Sequence, residues 1–100
     1  MIDLKETQKK VLQNKINKGF NVTDIYMEFC YTHGELSEAF EAYAKQKNSL
    51  GEELADVALY LLGISEILGI DLEAEIRRKL EINEKRRYDV TDGIPKRIEN

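Results

Sequence analysis

The chain has 100 residues, of which 42% are hydrophobic and 34% are charged, and its formal net charge is -4. This is too apolar for a disordered chain, and the length leaves room for one domain spanning residues 1–100. The acidic balance argues against stable nucleic-acid binding or attachment to an anionic membrane, both of which need a broad basic face. No apolar stretch approaches the roughly 20 residues of a membrane span, so we expect a cytoplasmic protein without membrane contact.

The first half of the chain predicts two amphipathic helices. The first covers residues 3–18 and ends at Gly19, and the second begins after an N-cap at Asn21 or Thr23 and runs to about Gln46. Apolar residues at helical spacing predict a stripe on the second helix that faces the core. They are Ile25, Phe29, Leu36, Phe40 and Tyr43.

A third helix is predicted for about residues 50–68, ending at Gly69. Ser49 and Glu52 have the spacing of a capping box at its start. Apolar residues surround its full circumference, which is typical of a helix buried on all sides. A 100-residue chain has a small core, so we expect a partner copy to complete this burial.

A fourth helix is predicted from residue 72 to about residue 88, with Asp71 as its N-cap. Residues 89–100 are expected to form a turn at Asp92-Gly93 and an extended tail. The sequence therefore predicts an all-α four-helix domain that is completed by oligomerisation.

Two pairs of carboxylates stand out on the second and third helices. Glu35 and Glu38 are three residues apart, as are Glu53 and Asp56, so each pair lies on one helix face. Asp56 has the more apolar neighbours and is expected to lie deeper than Glu53. Packed helices could bring both pairs to one cavity, where an all-oxygen set suits Mg²⁺ or Mn²⁺. The alternative for Glu35 and Glu38 is a solvated acidic face.

The fourth helix carries a polar stripe formed by Lys79, Asn83 and Arg86. Two cations flanking an amide can hold phosphate oxygens. The alternative is that the lysines of this helix form ordinary surface pairs with glutamates four residues away.

These residues resemble the E-x-x-E and E-x-x-D signature of the MazG-like, all-α nucleoside triphosphate pyrophosphatases. The two motifs occupy residues 35–38 and 53–56 with fourteen residues between them, and the match extends over about residues 25–88. An alignment through Gly34 and Leu36 would put Thr32 at the first ligand position. The frame that uses both acids of the first motif keeps all four ligands.

The resemblance implies Mg²⁺-dependent hydrolysis of a ribo- or deoxyribonucleoside triphosphate to the monophosphate and pyrophosphate. It implies metal binding by Glu35, Glu38, Glu53 and Asp56, and phosphate binding by Lys79, Asn83 and Arg86. Of the four carboxylates we take Glu38 as the proton acceptor, although any of them could serve. The resemblance also implies a homodimer or homotetramer.

Two alternatives to this activity stay open at this point. One is a related enzyme, either a phosphoribosyl-ATP pyrophosphohydrolase or a dimeric dUTPase. The other is a non-catalytic helical interaction module that carries an acidic cluster.

Overall fold

The computed structural model describes residues 1–98 and contains four helices followed by a β-hairpin. The elements are α1 (Leu4–Asn17), α2 (Ile25–Ala44), α3 (Leu50–Ile67), α4 (Leu72–Lys85), β1 (Arg87–Thr91) and β2 (Ile94–Ile98). The prediction of four helices is confirmed. Within residues 1–98, no helix is both long enough and apolar enough to cross a bilayer.

Aspartates cap three of the four helices. The side chains of Asp3, Asp24 and Asp71 each accept a hydrogen bond from a backbone N–H three residues further on, at 3.1 to 3.2 Å. These bonds satisfy donors that have no partner inside the helix. The prediction of Asn21 or Thr23 as the cap of α2 is therefore wrong, because Asp24 takes that position.

The predicted capping box of α3 does not form. Ser49 is the N-cap residue, but its backbone has φ -81° and ψ 1° instead of the extended conformation of the other three caps. Its side chain makes no capping hydrogen bond. The start of α3 thus lacks the side-chain stabilisation that the sequence pattern predicts.

The face of α2 that is buried in the chain is not its most apolar one. Glu28, Ala39 and Ala42 are buried, and α2 packs closely against α3. The predicted core-facing stripe points outward: Phe29, Leu36, Phe40 and Tyr43 are between 46% and 71% exposed. Small alanines let α3 approach closely, which explains why they and not the large residues form the seam.

Helix α3 is buried only near its end. Leu62 to Ser65 are buried, whereas Leu54, Leu59 and Leu61 remain between 41% and 53% exposed. The expectation of a helix buried on all sides is therefore not met within one chain.

Helix α4 is attached to the rest of the chain mainly through its first turn. The Leu72 N–H donates to Gln8 Oε1 at 2.9 Å, and the Leu4 N–H donates to Glu73 Oε1 at 3.3 Å. Its only substantial helix packing among the described elements is against α1, and none of its residues is buried.

The C-terminal segment forms an antiparallel hairpin where a turn and an extended tail were predicted, and the turn lies at Asp92-Gly93 as predicted. Helix α4 ends at Lys85, and β1 pairs with β2 from Arg87 opposite Ile98 to Thr91 opposite Ile94. Asp92 and Gly93 both have positive φ, at 54° and 76°. This is the conformation that two-residue hairpin turns require. The last two residues of the predicted tail, 99–100, lie outside the described residues.

Candidate metal centre

Three of the four predicted metal ligands meet between α2 and α3. Glu35, Glu38 and Glu53 each offer a carboxylate oxygen, and these oxygens all lie within 4.8 Å of one another. Glu35 and Glu53 are half-buried, while Glu38 is exposed. Helical spacing places the two α2 carboxylates on one face, and the packing of α3 adds the third.

Asp56 lies at the edge of this cluster. It is outside the group of three. Asp56 is exposed whereas Glu53 is half-buried, so the expectation that Asp56 lies deeper is wrong. Its charge still contributes to the electrostatics of Glu35 and Glu53. Asp56 also lines a cleft beside the cluster.

The cluster is electrostatically unbalanced. The pKa values of Glu35 and Glu53 are both raised above the ordinary value of a glutamate, first by burial and then by the negative charges of Glu38 and Asp56. The Oε2 atom of Glu53 is buried and has no hydrogen-bond partner among the described residues. A buried carboxylate oxygen without a partner is destabilising unless a proton or a cation meets it.

The donor set fits a hard divalent cation. All the converging groups are carboxylates, which Mg²⁺ and Mn²⁺ prefer, and no histidine or cysteine belongs to the group. A cation bound here would supply the positive charge that Glu53 Oε2 lacks. Thr32, the alternative first ligand, instead donates its hydroxyl to the Glu28 carbonyl at 2.8 Å.

The predicted phosphate-binding stripe does not join this cluster through helix packing of the same chain. Lys79 and Asn83 are exposed and Arg86 is half-buried. They lie in the second half of α4 and just beyond it, whereas α4 is tied to the chain at its first turn.

A buried ion pair that the sequence did not reveal lies beside the cluster. Lys15 Nζ donates to Glu28 Oε1 at 2.7 Å, and their side chains are only 9% and 1% exposed. The amide of Asn21 donates to Glu28 Oε2 at 3.0 Å. The pair is thus enclosed between α1, the connector after it and α2.

Aromatic rings and a glycine define the surroundings of this pair. Lys15 Nζ lies 4.4 Å from the centre of the Tyr60 ring, and the Tyr31 ring packs edge-on against Tyr60 with centroids 6.4 Å apart. Gly63 leaves room for the lysine stem, because a Cβ there would approach Lys15 Cε to 3.1 Å.

Two open cavities meet at this ion pair and form one cleft. The first, of about 240 Å³, extends to Asp56, and the second, of about 350 Å³, extends to Asn21 and Glu28. Lys15, Phe20 and Tyr60 line both. The cleft therefore leads from Asp56, at the edge of the acidic cluster, to a pocket with aromatic walls and a buried charged pair.

The sequence carried one weak signal for this pocket. Lys15 follows Val11 by one turn, which places a cation on the apolar side of α1, and Glu28 lies one turn after Asp24 at the start of α2. Lysine and glutamate are normally surface residues, so spacing alone does not distinguish such a pair from solvated charges.

Comparison with models of known protein families, with curated proteins and with solved structures gives no significant match to this chain. The family resemblance of the two acidic motifs therefore stays a prediction from the sequence.

Proposed function

We propose that this protein is a Mg²⁺-dependent pyrophosphohydrolase of the MazG-like type, which converts a nucleoside triphosphate to the monophosphate and pyrophosphate. One observation carries the proposal: within a cluster of three carboxylates, the Glu53 oxygen Oε2 is buried and has no hydrogen-bond partner in the part of the chain that the structure describes. Such a cluster is expected where a divalent cation is bound. The E-x-x-E and E-x-x-D motifs supply the reaction class.

The charge of the substrate explains why the site would need a cation. A triphosphate is strongly negative and would be repelled by the carboxylates of the cluster. Bound Mg²⁺, held by Glu35, Glu38, Glu53 and Asp56, would neutralise phosphate charge and lower the pKa of a water molecule. Phosphoryl transfer depends mainly on positioning and charge stabilisation, so a nucleophilic side chain is not required.

Glu38 is the best placed of the carboxylates to act as general base. It is the exposed member of the group of three and contacts bulk water, unlike the half-buried Glu35 and Glu53. It would accept a proton from the water whose oxygen attacks the α-phosphorus. The bond between the α-phosphorus and the oxygen that it shares with the β-phosphorus would break, and pyrophosphate would leave.

The stripe of Lys79, Asn83 and Arg86 would bind the phosphates in an oligomer. Because α4 packs mainly against α1 of its own chain, we infer that a neighbouring copy presents this stripe to the acidic cluster. The exposed apolar residues of α2 and α3 offer surface for that association.

The test is a panel of ribo- and deoxyribonucleoside triphosphates, with phosphoribosyl-ATP included, incubated with Mg²⁺ or with EDTA. We expect a nucleoside monophosphate and pyrophosphate from at least one substrate, and only with Mg²⁺. Exclusive cleavage of dUTP or of phosphoribosyl-ATP would assign one of the two related enzymes. No cleavage together with no binding of divalent cations would support the interaction module and refute the proposal.

A further inference from the structure

The pocket around Lys15 and Glu28 has a feature that metal binding does not explain. Within residues 1–98, Lys15 donates one hydrogen bond, to Glu28, and lies over the Tyr60 ring, which leaves the lysine with N–H groups that can serve a ligand. Asn21 and Gly63 fix the two ends of this arrangement, Asn21 by its bond to Glu28 and Gly63 by the space it leaves. The donor is therefore held in place before any ligand arrives.

The walls of the pocket suit a flat aromatic ring. Phe20 and Tyr60 line both cavities of the cleft, and Tyr31 lines the second one. Phe20 is 56% exposed although it is aromatic, so its ring is free to contact a ligand in the cleft. Aromatic side chains stack on nucleobases because every base has a π-face.

The position of the pocket relates it to the acidic cluster. Asp56, at the edge of the cluster, lines the same cavity as Lys15 and Tyr60. A ligand that placed its phosphates at the cluster would extend its other end along this cavity.

Resting on the proposed function, we propose that this cleft holds the nucleobase of the substrate, and that Lys15 donates a hydrogen bond to a carbonyl oxygen of the base. Uracil, thymine, cytosine and guanine carry such a carbonyl, and adenine does not. A site built around a buried donor discriminates against a base that leaves the donor unpaired. Glu28 acts as a positioning residue that holds Lys15.

The experiment measures the binding of four non-hydrolysable α,β-imido deoxynucleoside triphosphates, with adenine, guanine, cytosine or uracil as the base. Titration calorimetry with Mg²⁺ present compares the wild type with Lys15→Met/Glu28→Gln. The double substitution avoids an unpaired buried charge, so the variant should fold, which circular dichroism checks.

We expect the wild type to bind the carbonyl-bearing analogues about tenfold or more tightly than the adenine analogue. The double variant should lose this preference through weaker binding of the carbonyl-bearing analogues, while its Kd for the adenine analogue stays the same. Phe20→Ala should weaken all four analogues, because it removes a stacking surface. Tyr26→Ala is the control, since Tyr26 is 88% exposed and does not line the cleft.

Two results would overturn the inference while leaving the proposed function intact. One is tight binding of the analogues by the wild type without any preference against adenine. The other is an equal change in all four Kd values in Lys15→Met/Glu28→Gln, which would make the ion pair purely structural. Absence of binding of all four analogues to the wild type also overturns the inference, and it refutes the proposed function only if the substrate panel shows no cleavage.

Discussion

Glu53 is a carboxylate of the acidic cluster whose ionised form is disfavoured both by burial and by repulsion from its neighbours. Its oxygen Oε2 is buried and has no hydrogen-bond partner within residues 1–98, and burial and neighbouring carboxylates raise the pKa of Glu53 above the ordinary value of a glutamate. The folded protein therefore binds protons at this site more tightly than the unfolded chain does. This cost to folding is absent below about pH 4.5 and develops as the pH rises through the raised pKa.

Replacing Glu53 by glutamine should stabilise the metal-free protein at pH 7 to 8, because the charged form is removed. The gain should shrink as the pH falls, and should vanish below the ordinary pKa of a glutamate. Thermal unfolding in EDTA, followed by circular dichroism between pH 4 and 8, measures this.

Added Mg²⁺ should raise the Tm of the wild type, since a ligand that binds only the folded state stabilises it. The rise should be lost in Glu53→Gln and kept in Glu52→Gln, whose carboxylate lies outside the group of three. Equal Mg²⁺ responses of the two variants would contradict the assignment of Glu53 as a ligand.

At the scale of the helices, two N-cap residues that the sequence predicts alike behave differently in the structure. Asp71 caps α4 through a hydrogen bond to the Ala74 N–H, whereas Ser49 makes no such bond to α3. Asp71→Ala should lower the free energy of unfolding by about 1 kcal/mol. Ser49→Ala should change it by less than about 0.5 kcal/mol. Urea denaturation measures both, and equal losses would show that Ser49 does cap its helix.

The polar stripe of α4 has a separate test. If Lys79 and Arg86 bind the triphosphate, replacing either by alanine should lower kcat/KM about tenfold or more without affecting folding. Lys85→Ala is the control, because Lys85 lies on the same helix but off the stripe. Pyrophosphate release with the best substrate of the panel gives the three values.

Mixing subunits tests whether the stripe acts between copies. Protomers with Lys79→Ala and protomers with Glu53→Gln should each have low activity alone, and the activity should rise above both values when they are mixed and refolded together. If the stripe instead serves the carboxylates of its own chain, every site in the mixed assemblies still carries one of the two substitutions. Mixing should then restore no activity. Values for Lys79→Ala and Arg86→Ala that match Lys85→Ala would instead make the stripe a solvated helix face.

Element boundaries followed from the sequence where local chemistry determines them. Glycines with positive φ follow α1 and α3, and Gly19 and Gly69 were predicted as these ends. The hairpin was not predicted, because its strands are too short and too exposed to show a buried alternation. The predicted core-facing stripe of α2 was wrong for a related reason. Hydrophobicity alone favoured Phe40 and Tyr43 as core residues, whereas tertiary packing places alanines at the contact.

For the candidate site as well, the sequence predicted what depends on spacing along one helix and missed what depends on tertiary packing. Spacing along one helix was sufficient to pair Glu35 with Glu38, but it could not show that Glu53 would lie deeper than Asp56. The Lys15–Glu28 pair joins residues from two helices, so only the fold reveals it.

At the scale of the whole molecule, much apolar surface is left uncovered. The radius of gyration is 17.0 Å, against about 13 Å for a compact chain of this length. Helix α4 has no buried residue, and large apolar side chains of α2, α3 and the hairpin are exposed. Hairpins of two strands have little stability on their own, which adds to the expectation of a partner copy.

We therefore expect a stable oligomer in which a second copy covers these surfaces. Sedimentation velocity at micromolar concentration should show dimers or tetramers and no folded species of 11.6 kDa. Phe40→Asp, which places a charge in the exposed stripe of α2, should shift the population toward smaller species. A well-folded wild-type monomer would contradict this expectation.

The proposed activity is tested by comparing two neighbouring carboxylates on the same helix. Pyrophosphate release in the presence of Mg²⁺ is measured for the wild type, Glu53→Gln and Glu52→Gln with one nucleoside triphosphate. Loss of a metal ligand removes several kcal/mol of transition-state stabilisation, so kcat/KM of Glu53→Gln should fall about a hundredfold or more. Glu52→Gln should keep near-wild-type turnover. Equal activity of the two variants would contradict a catalytic metal centre at Glu35, Glu38 and Glu53.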